Sequence, residues 1–274
     1  MKVLILGSSG YVGARLYRDL KDKLEVTGTY FKNKFFPELK FVDITKYRQL
    51  SDFVYRIKPQ IIIHVANNPH ANWCEEHPQE ATLLNQTATE YVVDAANRQG
   101  AKIIFLSLYA ALNPSDEIYC RAKRVSEKLV SQTQRGYLII RPSLVVGLSP
   151  NTGTTNFFNR LLVSVQKKKL EAFDTSWRFQ PTYIGQLSEV IMHCVNNEIN
   201  NTEISVAVDT VKSQYEVASD IAAKFGLKVK PLDLQLNIPT VIEDLTRLNN
   251  IHASLNTYPK LIDILAEEIK TQTR

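Results

Sequence analysis

Val3-Leu4-Ile5-Leu6-Gly7-Ser8-Ser9-Gly10-Tyr11-Val12-Gly13 opens the chain with a short apolar run that stops at a glycine and restarts as a helix. Four successive apolar residues suit a strand buried on both faces of a parallel sheet. In the G-x-x-G-x-x-G string behind it, Gly7 permits the tight turn and Gly10 lets the backbone approach a pyrophosphate. Gly13 lets the helix pack close to the sheet. The helix N-terminus, from Tyr11 and Val12 onward, then presents free N–H groups and the positive end of its dipole to phosphates. A glycine string between strand and helix is the setting that makes this a dinucleotide-binding signature. An NAD site carries an acidic residue at the end of the second strand, for the ribose 2′-hydroxyl. Here the chain reads Thr29-Tyr30-Phe31-Lys32-Asn33-Lys34, with two lysines and no carboxylate. Lys32 or Lys34 suits a 2′-phosphate, so NADP(H) is the expected cofactor and NAD the less favoured one.

Outward from this loop the first half alternates strand and helix patterns. A helix is predicted over 11–23, strands over 25–30 and 40–42, and a helix after Asp43 that Thr45 caps and Pro59 closes. Ile61-Ile62-Ile63-His64-Val65 is a further apolar strand. A long helix spans Ala81 to Arg98 and stops at Gly100. Strands at 102–106 and 137–140 flank a helix at 119–133. This alternation predicts an α/β fold, a Rossmann-type doubly wound parallel sheet with right-handed crossovers. The second half is less regular and rich in proline. Helices are expected at 156–168, 187–196, 215–225 and 260–270, and a strand at 204–208. Residues 1–150 then form the NADP-binding core, to which part of 180–210 returns, and 151–274 form mainly a smaller substrate-binding lobe.

Composition narrows the function. The 274 residues carry 33 Lys and Arg against 28 Asp and Glu, a net charge of +5. So mild an excess does not indicate a nucleic-acid protein. No apolar run approaches the length of about 20 residues that spans a bilayer, so no membrane partner is expected. Three cysteines, Cys74, Cys120 and Cys194, lie far apart without a C-x-x-C pair. They argue for a reducing compartment, read as the cytoplasm, and against structural zinc. His70 and His77 flank Trp73 and Cys74, but not at the spacing of a helical ligand pair, so no metal is expected.

Tyr119-Cys120-Arg121-Ala122-Lys123 places a phenol and an ammonium one turn apart on one helix face. A nearby ammonium favours phenolate and lowers the tyrosine pKa. Such a tyrosine exchanges a proton with a carbonyl oxygen, and such a lysine also binds cofactor ribose hydroxyls.

Together these residues resemble the extended short-chain dehydrogenase/reductase superfamily, and within it the dTDP-4-dehydrorhamnose reductase family. That family also includes the NADP-binding regulatory β subunit of methionine adenosyltransferase. The glycine loop, including Ser9, matches the first family motif. Asp43-Ile44-Thr45 matches an Asp-x-Thr/Ser element whose aspartate side faces adenine. His64-Val65-Ala66-Asn67 occupies the place of a His/Asn-x-Ala-Ala segment that lines the cofactor. Cys74-Glu75-Glu76-His77-Pro78, then Asn85, matches the Cys-Glu-x-x-Pro…Asn pattern. Tyr119 and Lys123 match the catalytic pair. Arg141-Pro142-Ser143-Leu144-Val145-Val146-Gly147 matches the segment near the nicotinamide, and Gln180-Pro181-Thr182-Tyr183 an element of the substrate side.

Two departures stand out. The family carries a Ser-Thr/Ser segment after the fifth strand whose second hydroxyl completes the catalytic triad. Here Leu106-Ser107-Leu108 puts Leu108 at that place without a gap, and Ser107 there after a one-residue shift. The connection from Leu112 to Tyr119 is also markedly shorter than the family's.

The resemblance implies an NADPH-dependent reductase of a keto group on a nucleotide-linked deoxy sugar, with Tyr119, Lys123 and Ser107 catalytic and Asn85, Ser143, Pro181 and Tyr183 toward substrate; for Asn85 two other roles stay open, holding a water or backbone carbonyl near the lysine, and a polar core position. Two alternatives stay open: a non-catalytic NADP-binding regulatory protein, and an epimerase or dehydratase of the same superfamily. Helices outside such a sheet can pair into a homodimer, which nothing in the sequence specifies. His64 reads as structural, and Cys120 as a small residue packed under its helix. Trp177, Arg178 and Phe179 either stack on a base or sugar or close the smaller lobe.

Overall fold

The computed structural model describes residues 1–112, 115–236, 238–251 and 257–272. In chain order its first half runs β1 (Lys2–Leu6), α1 (Tyr11–Leu20), β2 (Glu25–Tyr30), β3 (Lys40–Phe41), α2 (Tyr47–Ile57), β4 (Ile61–His64), α3 (Ala71–Glu76), α4 (Pro78–Thr82), a π-helical turn (Leu83–Thr87), α5 (Ala88–Gln99), β5 (Lys102–Leu106), a 3₁₀ turn (Tyr109–Leu112), α6 (Ile118–Val130) and β6 (Tyr137–Pro142). Its second half runs β7 (Val145–Val146), α7 (Phe157–Gln166), β8 (Ala172–Asp174), β9 (Arg178–Phe179), β10 (Thr182–Tyr183), α8 (Ile184–Asn196), β11 (Thr202–Val206), β12 (Lys212–Ser213), α9 (Gln214–Ala223), β13 (Lys230–Leu232), α10 (Thr246–Ile251) and α11 (Tyr258–Gln272).

Seven parallel strands form the central sheet in the order β11-β6-β5-β4-β1-β2-β3. The chain first winds outward from β1 through β2 to β3. It then crosses back to β4 and continues through β5 and β6, the doubly wound arrangement that the alternating pattern predicts. The two faces of β1 feed two separate cores, as a strand buried on both sides requires. Val3 and Ile5 pack with Leu16, Leu20, Leu187 and Ile191 under α1 and α8. Leu4 and Leu6 pack with Leu50, Val54, Val92 and Ala96 under α2 and α5. A third core joins Phe157, Phe158 and Leu161 of α7 to Phe173, Ile221, Leu261 and Leu265 in the second half.

Two local expectations change. The long helix predicted from Ala81 is present and runs without interruption to Gln99, but over Leu83–Thr87 it takes a π-helical turn around Asn85. A π turn inserts a residue and displaces a backbone carbonyl from the helical ladder. The Asn85 carbonyl there accepts the Ser126 hydroxyl of α6 at 2.9 Å. Thr45 does not cap α2, which starts after Lys46 without a side-chain cap. Its N–H and hydroxyl instead donate to Asp43 Oδ1 at 2.9 and 2.6 Å, closing an Asx turn. Gly100 ends α5 with φ +69°, in the left-handed C-terminal position expected of it.

Candidate active site

Parallel pairing aligns the carboxyl ends of four neighbouring strands. Leu6 lies beside His64, His64 beside Phe105, and Leu106 beside Ile140. The residues that follow the first three strands, Gly7, Val65 and Ser107, therefore emerge along one edge of the sheet, and Ser143 follows the end of β6 three residues beyond Ile140. Ligands of open α/β sheets bind there, at the point where strand order reverses.

The glycine turn is shaped by steric exclusion. Gly7 has φ +96°, and a Cβ on it would lie 2.8 Å from the Ala66 backbone. A Cβ on Gly13 would lie 2.0 Å from the Gly7 carbonyl oxygen, so α1 rests directly on the turn. Gly10 differs: it is exposed, and its Cβ would meet only the Gly7 oxygen at 3.4 Å. The space beside Gly10 is open, a cradle that a side chain would fill. No side chain caps α1, and its first turn holds no acidic residue. Uncapped N–H groups beside an open cradle fit a pyrophosphate. Thr29 Oγ1 accepts the Gly7 N–H at 3.1 Å, and Ser8 Oγ donates to the Ile5 carbonyl at 3.1 Å. From the other side, Asn151 Nδ2 donates to the Ser9 carbonyl at 2.7 Å, and the Tyr11 hydroxyl to the Gly147 carbonyl at 2.5 Å.

At the far end of the cleft, Lys32 and Lys34 are exposed, and Lys34 Nζ lies 6.0 Å from the Tyr30 ring centroid. Ile44 is buried behind Asp43.

At the near end stand the phenol and the ammonium, both buried: Tyr119 is 8% exposed and Lys123 2%. Their relation is not the one the sequence suggests. Lys123 Nζ donates to the Leu106 carbonyl at 3.0 Å and sits 4.6 Å from the Phe105 ring centroid. It is 5.9 Å from the Tyr119 ring centroid. Burial pushes Lys123 down to about 7, with Glu127 pulling weakly the other way. Burial, reinforced by the Cys74 and Cys120 sulfurs, holds the Tyr119 phenol well above the ordinary tyrosine range. Its hydroxyl oxygen accepts a hydrogen bond from Asn67 Nδ2 at 3.2 Å.

Ser107 donates its N–H to the Ile140 carbonyl at 2.8 Å, and its buried hydroxyl has no hydrogen-bond partner among the described residues. Leu108 packs with Trp73 and Ile118 on the Tyr119 cluster. Pro142 is buried at the end of β6, and the Ser143 N–H donates to Thr182 Oγ1 at 2.9 Å. Asn85 is 2% exposed and binds the backbone of Asn68, its amide donating to the Asn68 carbonyl, which is the carbonyl-holding role among those open to it. Tyr183 carries its hydroxyl to Glu268 Oε1 at 2.7 Å and receives Arg15 Nη2 at 3.2 Å, while Pro181 is buried beside it. The edge of the sheet thus gathers Tyr119, Lys123, Ser107 and Asn67, whereas Asn85 and Tyr183 face other partners. Sequence reasoning missed the contact between Asn67 and Tyr119. Its signal was the asparagine standing where the family segment ends in alanine.

Among the described residues, no group of three or more His, Cys, Asp or Glu could hold a metal ion. None of their helices is long and apolar enough to cross a membrane.

Comparison with known proteins places the chain in a family. The chain is 25% identical over 246 residues to the spore coat polysaccharide biosynthesis protein SpsK of Bacillus subtilis (strain 168), covering 85% of this chain and 82% of that one. It is 23% identical over 218 residues to a dTDP-4-dehydrorhamnose reductase of Salmonella typhimurium, covering 75% of this chain and 70% of that one. A crystal structure of dTDP-4-dehydrorhamnose reductase from Bacillus anthracis in complex with NADP superposes with a TM-score of 0.81 at 22% identity, covering 97% and 99% of the two chains. Residues 1–244 match the RmlD substrate binding domain family, and with that match over most of its length the chain belongs to the RmlD-like family of extended short-chain dehydrogenases/reductases.

Proposed function

We propose that this protein is an NADP(H)-dependent reductase of a keto group on a nucleotide-linked deoxy sugar, akin to dTDP-4-dehydrorhamnose reductase. The observation that carries this reading is the convergence at the carboxyl edge of the sheet. A buried phenol, a buried amine and an unpartnered buried hydroxyl lie beyond the same strand ends as an open glycine turn. A buried hydroxyl without a partner is costly in the absence of a ligand, which suits a group that meets a substrate oxygen.

The residues present fit a dinucleotide. The uncapped N-terminus of α1 beside Gly10 would hold the pyrophosphate, Lys32 a 2′-phosphate, and Asp43 and Ile44 the adenine side. Val65, Ala66 and Pro142 would line the cleft, and Lys123 would hold ribose hydroxyls. When bound, the reduced cofactor supplies the hydride for the keto carbon. Tyr119 gives its proton to the keto oxygen, which becomes the alcohol. Ser107 Oγ donates a hydrogen bond to that oxygen as negative charge builds on it.

The test follows NADPH oxidation optically against a panel of nucleotide-linked 4-keto-6-deoxy sugars. Oxidation that needs a panel member, and falls at least about a hundredfold in Tyr119→Phe, is the expected result. Undiminished activity in that variant would remove Tyr119 from the chemistry.

One observation favours a second reading, a non-catalytic NADP-binding role. Leu108, Trp73 and Ile118 close around Tyr119, and leucine cannot hydrogen-bond a substrate oxygen. Under that reading NADPH binds without turnover on any panel member, and a stable complex with another protein depends on the cofactor and not on Tyr119.

A further inference from the structure

In this chain the hydrogen bond on the Tyr119 oxygen comes from a neutral amide. Lys123 Nζ is engaged by the Leu106 carbonyl and the Phe105 ring. Asn67 Nδ2 lies 3.2 Å from the phenolic oxygen. Around it the surroundings are apolar and opposed to charge: Cys74, Ala81, Trp73, Leu108 and Ile118. We infer that Asn67 is a second functional residue of the proton-transfer step, stabilising the Tyr119 phenolate, and that Asn85 on the π-helical turn is its positioning residue. The inference deepens the reductase reading and rests on Tyr119 being the proton donor.

Two physical effects follow from the contact. A hydrogen bond to an ionised acceptor is roughly twice as strong as one between neutral groups, so the amide favours phenolate over phenol. It therefore offsets part of the burial that holds the proton on. The second effect is directional. With the Asn67 N–H on one side of the oxygen, the phenolic proton turns to the other side, away from Asn67.

The amide is held by a built support. The Asn68 N–H donates to Asn85 Oδ1 at 2.9 Å, and Asn85 Nδ2 donates to the Asn68 carbonyl at 3.1 Å. This two-point grip sets the backbone next to Asn67. The Asn85 carbonyl in turn accepts the Ser126 hydroxyl at 2.9 Å. Ser126 is fully buried and lies on α6, two turns beyond Tyr119 and one beyond Lys123. The loop after β4, the π turn and the helix carrying the phenol are thus joined by hydrogen bonds. Where the family segment ends in alanine, Asn67 supplies a donor. A side chain one bond longer or a looser π turn would move that donor off the oxygen.

The experiment reads the phenol directly, so it does not depend on turnover. The protein is labelled with a fluorinated tyrosine, whose phenol ionises at lower pH, and the Tyr119 resonance is assigned with Tyr119→Phe. Its ionisation midpoint is followed by fluorine NMR in the wild type, Asn67→Ala, Asn67→Asp and Asn85→Ala. We expect the midpoint to rise by about one pH unit in Asn67→Ala. It rises further in the near-isosteric Asn67→Asp, where a carboxylate replaces the donor. It also rises in Asn85→Ala, and there cofactor-dependent turnover shows the same upward displacement of its pH profile. A midpoint that stays or falls in Asn67→Asp, in protein with a native melting profile, overturns the inference, because the amide is then not a donor to the phenol. The sugar panel fails independently. Absence of NADPH oxidation by the wild type counts against the reductase reading, while the fluorine titration still decides whether Asn67 stabilises the phenolate.

Discussion

At Lys123 the site holds an amine with little compensation. Its ammonium has the Leu106 carbonyl, the Phe105 ring and, farther off, the Tyr119 ring as neighbours, and burial, opposed by the Glu127 charge, lowers it from 10.5 to about 7. Below about pH 7 the folded protein carries the buried charge. Between about 7 and 10.5 the unfolded chain holds a proton that the folded one lacks, so stability rises with pH across that window. Lys123→Met should therefore raise the melting temperature most at pH 7 and below, with the gain shrinking toward pH 10. Melting curves across that range check the sign, and a gain that grows with pH contradicts it. His64 behaves in the same sense at lower pH. Burial, assisted by the Lys123 charge, brings it down to about 3, so it draws stability away as pH falls from about 6.5 toward 3. Under the proposed function Lys32 would act through its charge on the 2′-phosphate of the cofactor. Lys32→Ala should weaken NADPH binding about tenfold and leave NADH binding unchanged, as measured by fluorescence titration. Equal loss for both would show that the lysine does not meet the 2′-phosphate.

At the scale of elements, the glycine turn separates two roles that one motif conceals. Gly13 is required by the protein itself, since its Cβ would collide with the Gly7 oxygen at 2.0 Å. Gly10 has φ −74° and ψ 171°, which any residue adopts. Gly13→Ala should destabilise the fold by about 2–3 kcal/mol, seen in denaturant titration. Gly10→Ala should leave stability nearly unchanged and weaken NADPH binding about tenfold or more, because the methyl enters the phosphate cradle. Equal loss of stability in both variants would mean that the Gly10 space belongs to the fold. The π turn is a second element with a role in the site. Within it the Asn85 carbonyl accepts the Ser126 hydroxyl and the Asn85 side chain binds the Asn68 backbone. π turns of this kind occur frequently at functional sites.

Across the whole molecule the two halves are tied together behind the glycine turn. Arg15 on α1 donates to Glu268 on α11 at 2.9 Å, to the Leu148 carbonyl at 2.7 Å, and to Asp19 at 2.7 Å. Glu268 also accepts the Leu148 N–H at 2.9 Å and the Tyr183 hydroxyl at 2.7 Å. Side-chain exposures of 10% for Arg15 and 18% for Glu268 make this a largely buried pair. Removing one partner of such a pair leaves the other charge poorly compensated. Glu268→Gln should cost about 3 kcal/mol, read as a lower denaturant midpoint at constant slope. A variant as stable as the wild type would show that Asp19 and the Leu148 carbonyl satisfy Arg15 by themselves.

Periodicity and the glycine spacing determined the sheet, its winding and the glycine turn, because these depend on local apolar runs and on residues within a few positions of one another. Gly7, Gly10 and Gly13 were legible for that reason, and so was the shared helix face of Tyr119 and Lys123. Which way those side chains turn depends on contacts between residues far apart in the chain. Only the tertiary structure set the Lys123 amine on the Leu106 carbonyl and away from the phenol. It alone brought Asn67 across 52 positions to the Tyr119 oxygen and Arg15 across 253 to Glu268. The π turn within the predicted long helix at Asn85 also lay outside local reach. The Ser126 hydroxyl that accompanies it comes from another helix, 41 positions along the chain. Local pattern encodes backbone elements; the partners of buried polar atoms are decided by packing, because each such atom takes whichever neighbour the assembled core presents.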